Sequence, residues 1–475
     1  MRQPSIAGAP VPEPEAILLA GELEAILLAG ESETPVTLTC ASRVSLRARF
    51  AGAGPKDGTV FDGVVVRGGP RELRLSRCRY HAEGSDHGRL VFLEDVYDAR
   101  TLVHERRLID LRRAFENLPA VLGQREGIRP EFREWVAELT YGLSVWRRFF
   151  DEQDAVLAGE PVEVVEAARG ALLSTVGRSF MVFLDGHLAR MGGLVAGFGR
   201  EEHERHGFYL RRQAWPYLSA SEFLRRSNVK PHGYAGDAEM MQLTYENRFV
   251  GESLFAQLMH KHPVESPAAD AVRSRRRFVP RVLREVAQRF PAQGAGAFRF
   301  MSLACGPAWE LQDIYRDPAD MHRFQGALLD QDPHALAMAR EGAGRIEQAH
   351  GAKLQLDWHQ DSVRTMLRTP RLDERFGRHH FVYSMGLFDY LTPPVARTVL
   401  ERMYELLYPG GELLIGNYHV ENPSRLYMEY WADWVLFLRT EEAFRALAAG
   451  LPGARVSLEL ESSRCQMFLR VEKPA

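Results

Sequence analysis

A mostly apolar run, Phe298-Arg-Phe-Met-Ser-Leu303, passes through Ala304, Cys305 and Gly306 into Pro307 and a helix-like pattern. A buried parallel strand that turns into a helix in this way serves a nucleotide-like ligand. Gly306 lets the backbone approach such a ligand, and Pro307 suits a first helical turn, where its missing N–H costs nothing. A second apolar run, Gly326-Ala-Leu-Leu329, ends in Asp330, and an acid at about this distance from the glycine commonly grips a ribose.

A further group of reactive side chains lies upstream. The stretch Asn228-Val-Lys-Pro-His-Gly-Tyr-Ala-Gly-Asp237 brings together Lys230, His232 and Tyr234 with Gly233 and Gly236. The glycines permit close approach to a ligand, and the polar side chains offer contacts to it. Read as structure alone, the same stretch is a helix connector capped by Asp237. The histidine pairs His203/His206 and His260/His262 find no convincing third ligand, so no metal site is expected.

The elements that must position these residues follow from the pattern. Asp332 and Pro333 read as the cap and first turn of a helix through about His350. Lys353 to Trp358 is a short strand-like run ending near Asp361, and Phe381 to Met385 is a fourth run with Asp389 beyond it. Pro393 to Leu407 is amphipathic, with apolar residues at Val395, Val399, Leu400, Met403, Leu406 and Leu407. Tyr408-Pro-Gly-Gly411 turns into Glu412 to Asn417, and Arg455 to Leu460 with Gln466 to Val471 form a hairpin candidate. Alternating strands and helices ending in a hairpin predict an α/β fold, a doubly wound Rossmann-like sheet with an antiparallel edge. Ligands meet such sheets at the carboxyl ends of the strands, here Cys305, Asp330, Asp361 and Met385.

The ordered set of glycine turn, acid ending the second strand, acid after the third and Pro-Gly-Gly turn before the fifth resembles the class I S-adenosylmethionine-dependent methyltransferases. The resemblance covers roughly Arg284 to Ala475. One departure is the first loop, Leu303-Ala-Cys-Gly-Pro-Ala308, with a single glycine where that family often has two or three. The resemblance implies S-adenosyl-L-methionine as cofactor. The backbone of Ala304, Cys305 and Gly306 would face its methionine part, and Asp330 would accept hydrogen bonds from the ribose. Asp361 would meet the adenine amino group with Ser362 beside it, and Tyr383 to Gly386 would close the far side.

The 228–237 stretch, with Glu246-Asn247, His260 to Val264, Arg273 to Arg277, Asn417-Tyr-His419, Asn422-Pro-Ser424 and Asp433-Trp434, resembles a group of bacterial proteins held to make a hydroxypalmitic acid methyl ester signal. That likeness implies O-methylation of a small-molecule acceptor such as a (hydroxy) fatty acid carboxylate. Methyl transfer is an in-line displacement at a sulfonium-activated carbon, so alignment is the main task. A carboxylate needs no general base but wants a cation or donors, for which Lys230, His232, Tyr234, Tyr418 and His419 are at hand. An alcohol would need a base, such as His232 or His419. His232, Tyr234 and His419 are the catalytic candidates, and the Lys230-to-Asp237 loop is expected to fold over the pocket. Arg275 to Arg277 read as a solvated helix face. A protein or nucleic-acid methyltransferase, and a signalling adaptor with an idle catalytic domain, remain the alternatives.

Length and composition set the frame. The 475 residues, 45% hydrophobic with a net charge of −3, suit about three domains and offer no broad basic surface for nucleic acid. Four scattered cysteines suit a reducing cytosol, so a cytoplasmic protein is expected, and no apolar run reaches the length of a membrane span. Residues 1–33 contain the near-repeat Glu15 to Glu22 and Glu24 to Glu31, whose glutamates argue against a signal peptide; this part is expected to be a tail or accessory helix. Residues 34–100 switch to period-two strands with Gly-rich turns, predicting a small β-barrel. Arg43 and Arg47 with the strand order resemble a PilZ domain, a receptor for cyclic di-GMP. Val66-Arg-Gly-Gly69 lacks the acid and serine of that family's second motif, so weak or no nucleotide binding and a docking role are expected. Residues 101–287 read as a helical lid or substrate domain, with Phe132, Trp135, Val136, Leu139, Leu143, Trp146 and Phe150 as its core stripe, and residues 288–475 as the methyltransferase-like domain.

Overall fold

The computed structural model describes residues 17–30, 32–41, 45–66, 73–93, 123–290 and 297–475. The chain divides into two compact units, Met1–Glu126 and Gly127–Ala475.

The first unit is an eight-stranded antiparallel sheet of β1 (Ile17–Ala29), β2 (Ser32–Ala41), β3 (Ser45–Arg49), β4 (Val60–Phe61), β5 (Gly63–Val66), β6 (Leu73–Leu75), β7 (Cys78–Ala82) and β8 (His87–Phe92). Its order is β4-β7-β8-β3-β2-β1-β5-β6. Alternate residues point inward, so Leu38, Leu46, Tyr80 and Leu90 meet in one core. Asp62 alone separates β4, which pairs with β7, from β5, which pairs with β1. The sheet therefore curls back toward its own beginning.

Of the tail or helix expected at residues 1–33, residues 1–16 lie outside the described residues, and the rest is corrected here: Ile17–Ala29 is a strand paired with β2 and β5. Leu23, Ala25 and Leu27 are buried while Glu24 is exposed, so period-two burial in a sheet overrides a sequence that looks helical. The second copy of the repeat thus supplies part of the inner face. Arg43, most of Val66-Arg-Gly-Gly69 and the expected boundary near residue 100 lie outside the described residues. Arg47 forms an ion pair with Glu83 at 3.2 Å.

The second unit is built on a seven-stranded sheet of β9 (Phe298–Leu303), β10 (Phe324–Asp330), β11 (Gln355–Gln360), β12 (His379–Ser384), β13 (Leu407–Tyr418), β14 (Arg455–Leu460) and β15 (Gln466–Glu472). Its order is β11-β10-β9-β12-β13-β15-β14. Strands β9 to β13 are mutually parallel, while β15 runs antiparallel to both β13 and β14. The doubly wound sheet and its terminal hairpin are as expected. Each strand divides its residues between two layers. Phe300, Tyr383 and Leu414 pack with the helix Pro267–Arg289 on one face. Met301, Val382 and Ile415 pack with the helix Pro393–Glu405 on the other.

Helices fill the preceding part, beginning with Pro130–Leu157, whose Phe132, Trp135, Leu139, Leu143 and Phe150 are buried at helical spacing. Their cluster also takes in Tyr418, Tyr430, Trp431 and Cys465 from the C-terminal part. A division near residue 287 therefore does not separate two cores; the helices and the parallel sheet form one unit. Among the described residues no helix is long and apolar enough to cross a membrane.

Candidate functional site

Where β9, β10 and β12 end, a cavity of about 500 Å³ opens. The strand order reverses between β9 and β12, because β10 lies on one side of β9 and β12 on the other, and such a switch point leaves a crevice between diverging loops. The loop after β9 carries three left-handed residues, Ala304 (φ +53°), Gly306 (φ +55°) and Ala308 (φ +48°). Two of them have a Cβ, so the backbone is held in a strained shape, of the kind found where loops serve ligands.

Asp330 holds that loop in place. One carboxylate oxygen accepts the Gly306 N–H at 2.8 Å and the other accepts the Asp332 N–H at 3.0 Å. Burial pushes its carboxyl upward, against these N–H contacts. Asp361 ends the next segment; its N–H donates to the Asp330 carbonyl at 3.0 Å, and its carboxylate pairs with Arg375. Ala304, Cys305, Gly306, Asp330, Asp361 and Tyr383 all line the cavity. Ser362 does not; its hydroxyl caps the helix Val363–Arg368 by accepting the Thr365 N–H. Burial pushes the Cys305 thiol well up, so it is a neutral wall rather than a nucleophile.

The opposite wall is the 230–237 loop. Asp237 caps the helix Ala238–Glu246, accepting the Met240 N–H at 3.0 Å, and is gripped by Arg226 at 2.9 and 2.6 Å. At the other end Lys230, itself left-handed (φ +53°), places its ammonium 2.6 Å from Asp433. Between these anchors His232, Gly233, Tyr234 and Gly236 face the same cavity as Gly306. A Cβ on Gly236 would lie 2.6 Å from the Tyr390 hydroxyl and 2.7 Å from the Trp434 ring, so only glycine fits. The His232 ring stacks on His334 at 5.6 Å and lies 3.7 Å from Asp332 and 3.6 Å from Glu239. Burial, then the nearby Asp330 and Asp332 charges, push the Tyr234 phenol up, which keeps it a proton donor at neutral pH.

Two expected acceptor contacts fall elsewhere. Lys230 is committed to Asp433, and His419 is buried away from the cavity, with its N–H on the Cys465 carbonyl and its ring accepting the Glu421 N–H at 3.2 Å. Tyr418 does line the cavity, although its hydroxyl donates to the Ala268 carbonyl at 2.9 Å.

Residues given no role at the site by the sequence complete it. Glu310 is buried and accepts the Tyr383 hydroxyl at 2.8 Å, and burial pushes its carboxyl upward. Asp389 accepts the Tyr418 N–H at 2.7 Å, and burial pushes it up to about 6. Arg275 is buried against the cavity, which corrects its reading as part of a solvated helix face. The signal was present: Val272, Arg275, Val279, Val282 and Val286 recur at three- and four-residue steps, placing Arg275 on the apolar face. Among the described residues one set of metal-ligating type, His232, Asp237 and Glu239, lies close together, but Arg226 already pairs with both carboxylates.

No family model matches the sequence. None of the curated proteins matches it either. Solved structures similar to the chain include a possible exported protein from Bordetella parapertussis, 20% identical, covering 63% of this chain and 97% of that one with a TM-score of 0.42. Magnesium protoporphyrin IX methyltransferase from Synechocystis PCC 6803, with bound SAH, is 11% identical over 50% of this chain and 95% of its own, at a TM-score of 0.35. The N-methyltransferase NodS from Bradyrhizobium japonicum, in complex with S-adenosyl-L-homocysteine, is 14% identical over 44% and 90%, at 0.30.

Proposed function

We propose that the chain transfers a methyl group from S-adenosylmethionine to an oxygen of a small acceptor, a (hydroxy) fatty acid carboxylate being the class that best suits the cavity. The observation that carries this reading is the Asp330–Gly306 contact at the carboxyl ends of a doubly wound sheet that closes in an antiparallel hairpin. The strained 304–308 loop would face the methionine portion, Asp330 the ribose hydroxyls, and Asp361 with Val363 the adenine side. The bound cofactor supplies a methyl group activated by a positive sulfur.

The chain's own task is then to align and to exclude water. The 230–237 loop lines one wall, Tyr234 would donate a hydrogen bond to the acceptor, and Met241, Val272, Trp434 and Leu436 offer an apolar wall for an alkyl chain. His232 stands where it would orient the acceptor or take a hydroxyl proton. The curled N-terminal sheet, with β4 and β5 joined through Asp62, is read as a PilZ-like barrel that docks the enzyme rather than binding a nucleotide. Its Arg47 is already paired with Glu83.

Titration calorimetry with S-adenosylmethionine and S-adenosylhomocysteine tests the core of the proposal. Binding of both at one site per chain is expected. Absence of binding by either at millimolar concentration would overturn it.

A further inference from the structure

A buried guanidinium without a carboxylate partner is costly, because burial removes its hydration and leaves the charge uncompensated. Arg275 is buried with no carboxylate in direct contact; Asp389 and the Tyr245 and Tyr418 phenols favour its charge from nearby. This arginine is 9% exposed and lines the main cavity. One guanidinium nitrogen donates to the Met385 carbonyl at 3.0 Å and the other meets the Met241 sulfur at 3.1 Å. Among the described residues no carboxylate forms an ion pair with it, although neighbouring Arg276 pairs with Asp313 at 2.6 Å. The Met385 carbonyl, the Met241 thioether and the Tyr245 phenol leave part of its five-donor fork for a ligand.

The surroundings match an amphiphilic anion. The Arg275 guanidinium reaches from its helix to the end of β12, beside Gly386. Tyr245 and Tyr418 are its phenolic neighbours, and Val272 and Val279 flank it on its own helix. The other cations in and around the site are committed: Arg276 to Asp313, Lys230 to Asp433, Arg226 to Asp237 and Glu239.

We propose that Arg275 is the specificity-determining anchor for the acceptor, and that the acceptor is a carboxylate on an apolar chain. This rests on the methyl-transfer reading above. One carboxylate oxygen is held by the guanidinium; the other attacks the methyl carbon. The new bond is O–CH₃, the bond broken is CH₃–S⁺, and its electron pair passes to sulfur. The products are a neutral methyl ester and neutral S-adenosylhomocysteine, and no proton is transferred. Esterification removes the charge that Arg275 holds, so the site favours substrate over product.

The test uses the full chain and three probes: S-adenosylhomocysteine, decanoate and methyl decanoate. With S-adenosylhomocysteine saturating, decanoate is expected to bind roughly ten- to a hundredfold more tightly than methyl decanoate, the range for one charge-assisted contact. Arg275→Gln is expected to abolish that preference and to leave S-adenosylhomocysteine affinity within about twofold, while Arg275→Lys restores part of the preference. Equal binding of acid and ester by the unaltered protein overturns the proposal without any variant. So does a loss of S-adenosylhomocysteine affinity in Arg275→Gln with decanoate unaffected, which would place the arginine on the cofactor. Failure of the unaltered protein to bind S-adenosylhomocysteine at all would instead refute the methyl-transfer reading.

Discussion

The carboxylate of Asp330 receives the Gly306 N–H at 2.8 Å, tying the end of β10 to the turn after β9. The acid that would meet a ribose thus also sets the shape of the loop beside it. Asp330→Ala should weaken S-adenosylhomocysteine binding by about 1.5–3 kcal/mol, the cost of losing hydrogen bonds to a charged group. Calorimetry on the variant checks this, and unchanged affinity would remove Asp330 from the cofactor site.

The loop residues should behave differently. His232→Ala and Tyr234→Phe are expected to lower turnover by about tenfold or more through lost alignment, while cofactor affinity and Tm change little. Steady-state kinetics with an identified acceptor, set beside calorimetry, separates the two effects. Equal losses in turnover and cofactor affinity would contradict an acceptor-side role.

Gly236→Ala is a packing test. Its methyl group must displace the Tyr390 hydroxyl or the Trp434 ring, which are joined by a hydrogen bond of 2.9 Å. Overpacking of this kind costs about 1–3 kcal/mol, and the variant should unfold at lower denaturant and turn over more slowly. A variant as stable and active as the parent would mean that the loop is looser than the structure indicates.

Asp389 gives stability a pH dependence of known sign. Burial raises its carboxyl from 3.8 to about 6. Between those values the folded protein keeps a proton that the unfolded chain releases, so this group's contribution falls as pH rises through that window. Asparagine carries no such proton. The stability of Asp389→Asn relative to the parent should therefore increase between pH 4.5 and 7.5, as read by denaturant unfolding at both values. A gap independent of pH would show that burial does not shift this carboxyl.

Much of the sheet was legible in the sequence because buried parallel strands are short apolar runs and their ends carry distinctive residues. Gly306, Asp330 and Asp361 fall at one edge for that reason. The 230–237 loop was legible as a candidate because its glycines and polar side chains have little use in a plain connector. Three things were not. Ile17–Ala29 has a helix-like composition, and only its partners β2 and β5 make it a strand. Arg275 sits in an arginine-rich run whose charge masked its place on the apolar face. His419 follows a strand that reaches the site, but the chain turns there and its ring is buried beside Glu421 instead. Which groups approach across the cavity depends on long-range packing, and no local pattern records that.

The two anchors of the 230–237 loop bear on traffic through the site. Arg226 clamps Asp237 and Lys230 holds Asp433, so the intervening stretch is fixed at both ends to an already assembled core. Entry and exit then call for a short flap to lift rather than for two bodies to part. Loop-lid openings run on roughly the microsecond-to-millisecond scale, whereas enzymes commonly turn over at about 1–10³ per second. The expected result is a doorway that opens within the time of a catalytic cycle, leaving the chemical step or the residence time of the product to set the pace.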